Sequence, residues 1–290
     1  MKKTTQFRNL IKRDGIIVIP GAFCALVARI IEDLGFPAAY MTGYGTSSAI
    51  IGRPDAGFVT MTEMVLNAKN IASAVEIPVI SDADTGYGNA VNMTRTIREF
   101  EQSGIAGVHI EDQTWPKKCG HVAGRKVINA NEMIGKIKAA LDARTDQDFL
   151  IIARTDSRSV LGLQEAIDRV NTYAAAGADM VFVDGPQSVE ELKRIGKEVK
   201  APLMVNISEG GVTPFLSSKQ LQDLGYKIVI YPSSALLAAT KSVTDLLKLL
   251  KTEGTTEKFS EHMVMLKDFH QFIGFPGVYE IEKKYIPEGI

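Results

Sequence analysis

Along the chain, short runs of apolar and β-branched residues bounded by Gly, Pro or Asp alternate with longer stretches in which apolar positions recur at helical period. Eight such runs lie at 16–20, 39–42, 79–83, 107–110, 149–153, 180–183, 203–206 and 228–231. Each is apolar throughout instead of alternating, as a strand covered on both faces must be. The stretches between them carry helix signals. Thr60-Met-Thr-Glu63 is a capping box leading into Met64-Val-Leu-Asn-Ala-Lys, and Gln164-Glu-Ala-Ile-Asp-Arg-Val-Asn-Thr-Tyr173 presents an apolar face. Repeated βα units of this number predict a closed (β/α)8 TIM barrel. A doubly wound open sheet is the alternative, but such sheets commonly announce a Gly-rich first turn, and none follows residues 16–20.

The chain continues past the last run with an amphipathic stretch at 234–251 and a helical pattern at 256–285 broken by Gly274-Phe-Pro-Gly277. That is more helix than one barrel uses. Residues 1–290 are read as a single barrel domain, with the surplus in 234–290.

Composition narrows the partners. Hydrophobic residues make up 45% and charged residues 23%, enough for one large core. The 33 Lys and Arg nearly cancel the 34 Asp and Glu, so no uniform field exists to hold nucleic acid or an anionic membrane, and a small molecule is the expected partner. Cys24 and Cys119 are too few and too far apart for a disulfide scaffold or a zinc site, and Cys24 is expected in the core. The first residues, Met1-Lys-Lys-Thr-Thr-Gln-Phe-Arg, lack the apolar segment of a signal peptide, and no apolar run is long enough to span a bilayer. A cytoplasmic location is expected.

In a parallel barrel the carboxyl ends of the strands face the active site, so polar residues that end apolar runs are the candidates for chemistry. Asp82 and Asp84 end the third run, and strand alternation sends both to one side; Glu111 and Asp112 end the fourth. Carboxylates converging at one mouth repel one another unless a hard divalent cation lies among them, and oxygen ligands suit Mg2+ or Mn2+. The competing reading is that strand-end Asp residues cap helices. The next segment, Gln113-Thr-Trp-Pro-Lys-Lys-Cys-Gly-His121, places Lys117 and Lys118 beside Cys119 and His121, which favours a thiolate able to exchange protons. Arg154 ends the fifth run, where it could clamp a carboxylate or bridge to Glu111 or Asp184. Asp184 and the segment Asn206-Ile-Ser208-Glu209 end the next two and could contact ligand or satisfy each other. His109, inside a strand, is expected to be a satisfied core histidine, and His262 and His270 lack a partner motif.

The run Lys117-Lys-Cys-Gly-His121 after Glu111-Asp-Gln113, with Asp82-Ala-Asp84-Thr-Gly upstream and Ala153-Arg-Thr-Asp156 downstream, resembles the isocitrate lyase and phosphoenolpyruvate mutase superfamily, over nearly the whole chain. Within it the chain is most similar to the short lyases acting on 2,3-dimethylmalate or 2-methylisocitrate. The resemblance implies a Mg2+-dependent carbon–carbon lyase acting on a 2-hydroxy dicarboxylate. It also implies a barrel whose eighth helix is swapped onto a neighbouring subunit, and a homotetramer. Magnesium is implied near Asp82 and Asp84, with Asp55 and Glu111 outside them. Thr42, Gly43, Tyr44, Gly120, Arg154, Asp184, Asn206 and Ser208 match positions that contact substrate. Cys119 is the implied proton donor, supported by Lys117 and His121, and Tyr40 and Asp55 are candidates for the hydroxyl base. Two departures stand out: Thr42-Gly43-Tyr44 in place of Ser-Gly-Gly, and Asp184 in place of Glu. Leucine occupies position 237, where 2-methylisocitrate lyases have an arginine for the third carboxylate, so an alkylmalate is the expected substrate; the alternatives are a 2-methylisocitrate lyase, an oxaloacetate hydrolase or decarboxylase, and a non-catalytic barrel that binds a dicarboxylate.

Overall fold

All eight apolar runs become strands: β1 (Ile17–Ala22), β2 (Ala39–Met41), β3 (Val79–Asp82), β4 (Gly107–Glu111), β5 (Leu150–Thr155), β6 (Met180–Val183), β7 (Leu203–Asn206) and β8 (Tyr226–Tyr231). They pair in parallel in chain order, and β8 returns to β1 through Ile17↔Ile228 and Ile19↔Ile230, closing the barrel. The open-sheet alternative is thereby excluded. The structure, a computed structural model, describes residues 1–120, 122 and 124–286.

Two apolar layers explain why the strands do not alternate. Outside the sheet, Val79, Val108, Ile151, Val181, Val205 and Val229 pack with helix residues such as Ile71, Ile97, Phe100, Ile137, Tyr173 and Leu192. Inside it, Ile17, Ile19, Ile80, Ile152, Met180, Phe182, Met204, Ile228 and Ile230 fill the barrel, with fully buried Phe7 of the helix Lys3–Lys12 packed into the same cluster. Burying each such side chain is worth roughly 1.5–3 kcal/mol. The helix Met61–Ala74 starts at the expected capping box, Thr60 accepting from the Glu63 amide while Glu63 accepts from the Thr60 amide.

Strand alternation then places the chemistry. Two residues beyond an inward apolar side chain the next inward position turns polar: Ile80 is followed by Asp82, Ile152 by Arg154, Phe182 by Asp184 and Met204 by Asn206. In β4 the inward column is polar earlier, because His109 stacks on Tyr40 and meets the edge of Phe182.

The chain divides into two compact units, Met1–Leu236 and Leu237–Ile290, where the sequence reads as one domain. The boundary falls inside the helix Ser234–Glu253. The second unit continues through a 3-10 turn, Glu257–His262, and the helices Leu266–Ile273 and Phe275–Tyr285, none of which buries a residue. The break comes at Gly274 alone, whose φ of +104° ends the first of these helices; Gly277 lies within the next. Among the described residues no helix is long and apolar enough to cross a membrane.

Candidate active site

At the carboxyl end of the barrel Lys117 is buried between two acids, its Nζ 2.6 Å from Asp55 Oδ1 and 2.6 Å from Asp84 Oδ1. Burial opposes its charge, but Asp84 and Asp55 more than offset that and hold its pKa well above the usual lysine value. Asp82 and Asp84 do come together, though not by strand alternation. β3 ends at Asp82, and Asp84 sits in a turn with φ +49°, its amide donating to Asp82 Oδ1 at 2.8 Å. Burial raises both carboxyls, Asp84 to about 7. Gly43 opens the helix Gly43–Ile51 against Asp82: a Cβ there would lie 2.4 Å from Asp82 Oδ2. Thr42 caps that helix by accepting from the Gly45 amide at 3.1 Å, and Tyr44 is partly exposed.

Deeper in the barrel the Tyr40 hydroxyl lies 2.7 Å from His109 Nε2. Burial keeps His109 neutral, pushing its pKa well below the usual value, and among the described residues its Nδ1 has no hydrogen-bond partner, lying 3.7 Å from Asp82 Oδ1. His109 is therefore a core histidine only half satisfied. Burial and the Asp82 charge push the Tyr40 hydroxyl well above the ordinary tyrosine range.

On the neighbouring strand β5, Arg154 is held by acids, the structural option that the sequence left open. It donates from Nε and Nη2 to the two oxygens of Asp156, each at 2.9 Å, and lies 3.4 Å from Glu111 Oε2 and 3.3 Å from Asp184 Oδ2. Burial works against the Asp156 charge, but Arg154 and Arg125 hold its carboxyl below the ordinary range. Burial drives Glu111 the other way, well above it. Arg125 was not legible in the sequence, since it lies beyond the Lys-Lys-Cys-Gly-His run with no motif of its own; its Nη1 donates to Asp156 at 2.8 Å and to Asp184 at 3.2 Å.

One loop brings Lys117, Cys119, Gly120 and Arg125 to these walls. Its base is closed by a bridge between Gln113 and Val127 and by Gln113, whose side chain bonds Lys118 through its amide and carbonyl. The Cys119 amide donates to the Asp55 carbonyl at 3.0 Å, and a Cβ on Gly120 would fall 2.0 Å from Asp184 Oδ2, so only glycine lets the backbone come this close. His121 lies outside the described residues. Ser208 donates to Asn206 Oδ1 at 3.0 Å. Asp112 is structural, accepting from Thr155, Arg169, Tyr173 and the Asp156 amide. Cys24 is half-buried at the cap of the helix Ala25–Asp33 and not in the core, because it precedes the helix whose buried face is formed by Ala28 and Ile31.

Among the described residues the mouth thus gathers six carboxyl groups, those of Asp55, Asp82, Asp84, Glu111, Asp156 and Asp184, against three cations, Lys117, Arg125 and Arg154. Glu111 Oε1 and Asp184 Oδ1 are buried with no hydrogen-bond partner among the described residues. Among the described residues no three His, Cys, Asp or Glu side chains form a complete cage. The donor set, all oxygen and in excess negative charge, fits a cation that keeps part of its water shell and takes one or two carboxylates, as Mg2+ does.

Comparison with known proteins adds to this geometry. The family model for phosphoenolpyruvate phosphomutase matches residues 7–251. A 2,3-dimethylmalate lyase of Eubacterium barkeri is 46% identical over 98% of this chain and 99% of its own. An oxaloacetate acetylhydrolase bound to 3,3-difluorooxalacetate superposes with TM-score 0.94 at 30% identity, over 100% of this chain and 99% of the other. A phosphonopyruvate hydrolase bound to oxalate and Mg2+ superposes with TM-score 0.90 at 29% identity, over 99% and 100% of the two chains.

Proposed function

The chain belongs to the phosphoenolpyruvate mutase/isocitrate lyase superfamily, and from that premise we propose that it is a Mg2+-dependent lyase cleaving an alkyl-substituted malate, with 2,3-dimethylmalate giving pyruvate and propionate as the leading case. The observation that carries this reading is the seating of one loop on the acidic mouth, Lys117 on Asp55 and Asp84 and the Cys119 amide on the Asp55 carbonyl.

Arg154 would receive the 2-hydroxy carboxylate through two parallel N–H donors. Magnesium held near Asp82 and Asp84, with Asp55 and Glu111 outside them, would supply positive charge at the hydroxyl and carboxylate oxygens of the substrate. A base takes the hydroxyl proton, the carbon–carbon bond breaks in the retro-aldol sense, and a 2-oxo acid leaves. The other fragment, a carbanion stabilised by its carboxylate, takes a proton from Cys119, with Lys117 and His121 setting the charge on the thiol. Of the two candidate bases Asp55 is favoured, because a tyrosine acts as a base only when ionised and burial opposes ionisation of the Tyr40 hydroxyl. A homotetramer with exchanged carboxyl-terminal helices belongs to the same proposal; Leu247, Leu266, Tyr279 and Ile281 are exposed apolar side chains that such an exchange would cover.

The preference for an alkylmalate rests on the resemblance at Leu237. A carboxylate with leucine in place of arginine forfeits a charged pair, about 2–5 kcal/mol, or roughly 30- to several-thousand-fold in specificity. The test is a panel of 2-hydroxy and 2-oxo dicarboxylates with products identified by mass spectrometry. Pyruvate and propionate from 2,3-dimethylmalate, at a kcat/KM at least about 30-fold above that for 2-methylisocitrate, is the expected result. Preferential release of succinate from 2-methylisocitrate would overturn the substrate. Oxalate from oxaloacetate would establish the second reading, a hydrolase, which the superposition on oxaloacetate acetylhydrolase favours.

A further inference from the structure

Arg154 cannot clamp a substrate carboxylate through two parallel donors and keep all its present partners, because Nε and Nη2 are taken by Asp156 and Nη2 also faces Asp184. Asp156 Oδ1 accepts from Arg154 Nη2 at 2.9 Å and from Arg125 Nη1 at 2.8 Å; Asp184 Oδ2 lies 3.3 Å from the first guanidinium and 3.2 Å from the second. Two arginines and two aspartates thus form a closed, electrically balanced ring in which each acid touches each base. The ring is buried: the Arg125 side chain is 6% exposed, Asp156 fully covered and Asp184 1% exposed. Three of its members come from the ends of β5 and β6. The fourth, Arg125, comes from the loop that also carries Lys117 and Cys119.

The two arginines face different tasks. If Arg154 turns toward a ligand, Asp156 and Asp184 lose a partner while still buried, and a buried anion without a cation is strongly destabilised. Arg125 remains bonded to both. Resting on the reading that Arg154 receives the substrate's carboxylate, we propose that Arg125 is a positioning residue, which stays with Asp156 and Asp184 and so releases Arg154 to the substrate. Arg125 does not touch the reacting atoms in this scheme. Its loss leaves two acids competing with the substrate for one guanidinium, which weakens binding more than turnover.

The experiment compares Arg125→Met, Arg125→Lys and Arg154→Met in the Mg2+-loaded enzyme, by calorimetric titration with oxalate and by steady-state kinetics. Arg125→Met is expected to weaken oxalate binding and raise KM by about 10- to 30-fold while kcat stays within about threefold. Both Arg125 contacts come from the single atom Nη1, so Arg125→Lys should restore binding to within about threefold of wild type. A merely structural role predicts no such split and no rescue. Arg125→Gln, similar in polarity, takes the place of Arg125→Met should the latter fail to fold. Wild-type oxalate affinity and KM in the charge-removing variant, alongside lost binding in Arg154→Met, would overturn the inference and leave the proposed function standing. Wild-type binding in Arg154→Met would instead overturn the reading on which it rests.

Discussion

At the bottom of the barrel the inward positions are Ile17, Ile80, Ile152, Met180 and Met204, closed by Phe7; toward the top the same columns present Asp82, Arg154, Asp184 and Asn206. Both regions are buried, and both are built by the same alternation. The lower one gains stability from every side chain it hides. The upper one hides Asp82, Asp84 and Glu111, whose pKa values are raised by burial first and then by the neighbouring acids. The stability of the first region supports the electrostatic cost of the second, so substitutions in the two should have opposite signatures: the floor should lose stability and keep chemistry, the mouth the reverse.

The largest effect is expected at the mouth. Cys119→Ala should lower turnover by roughly 10²–10⁴-fold, the range for removing a proton-transfer group, with the melting temperature unchanged. Near wild-type turnover would remove the thiol from the mechanism. Next is the floor, where Phe7→Ala empties a fully buried site and should cost about 3–5 kcal/mol in denaturant unfolding, with kcat/KM unchanged on the folded protein. A selective loss of activity there would dissolve the division between the regions.

The smallest effect has the opposite sign. In metal-free protein Glu111→Gln should raise stability by about 1–2 kcal/mol at neutral pH, a small gain beside the turnover that the same change should remove from the Mg2+-loaded protein. The sign follows from the pKa. Burial holds the Glu111 carboxyl well above its ordinary value of 4.5, so the protonated form is favoured in the fold. That contribution is complete below the unfolded-state value of 4.5 and is lost as pH rises toward the folded one. Thermal melts across this range should therefore show wild type losing stability with rising pH more steeply than the variant.

The floor was the more legible region in the sequence, because continuous apolar runs carry their meaning locally and each run became a strand. The mouth was legible where a charged side chain sits at or near a strand end, as with Asp82, Glu111 and Arg154. It was not where tertiary structure alone makes the contact. Arg125 meets Asp184 across 59 positions, and nothing near it in the chain marks it out. Alternation reached a correct pairing of Asp82 with Asp84 by an incorrect route, since a positive-φ turn replaces the last strand residues. Cys24 was misplaced because its apolar neighbours belong to the helix that it caps.

The central claim is that six acids against three bases are gathered at this mouth to work with a divalent cation. The most direct measurement is turnover of 2,3-dimethylmalate after exhaustive chelation and dialysis, followed by stepwise return of Mg2+. The account predicts no turnover in the stripped protein and recovery that saturates with added Mg2+. Full turnover in the stripped protein would contradict it.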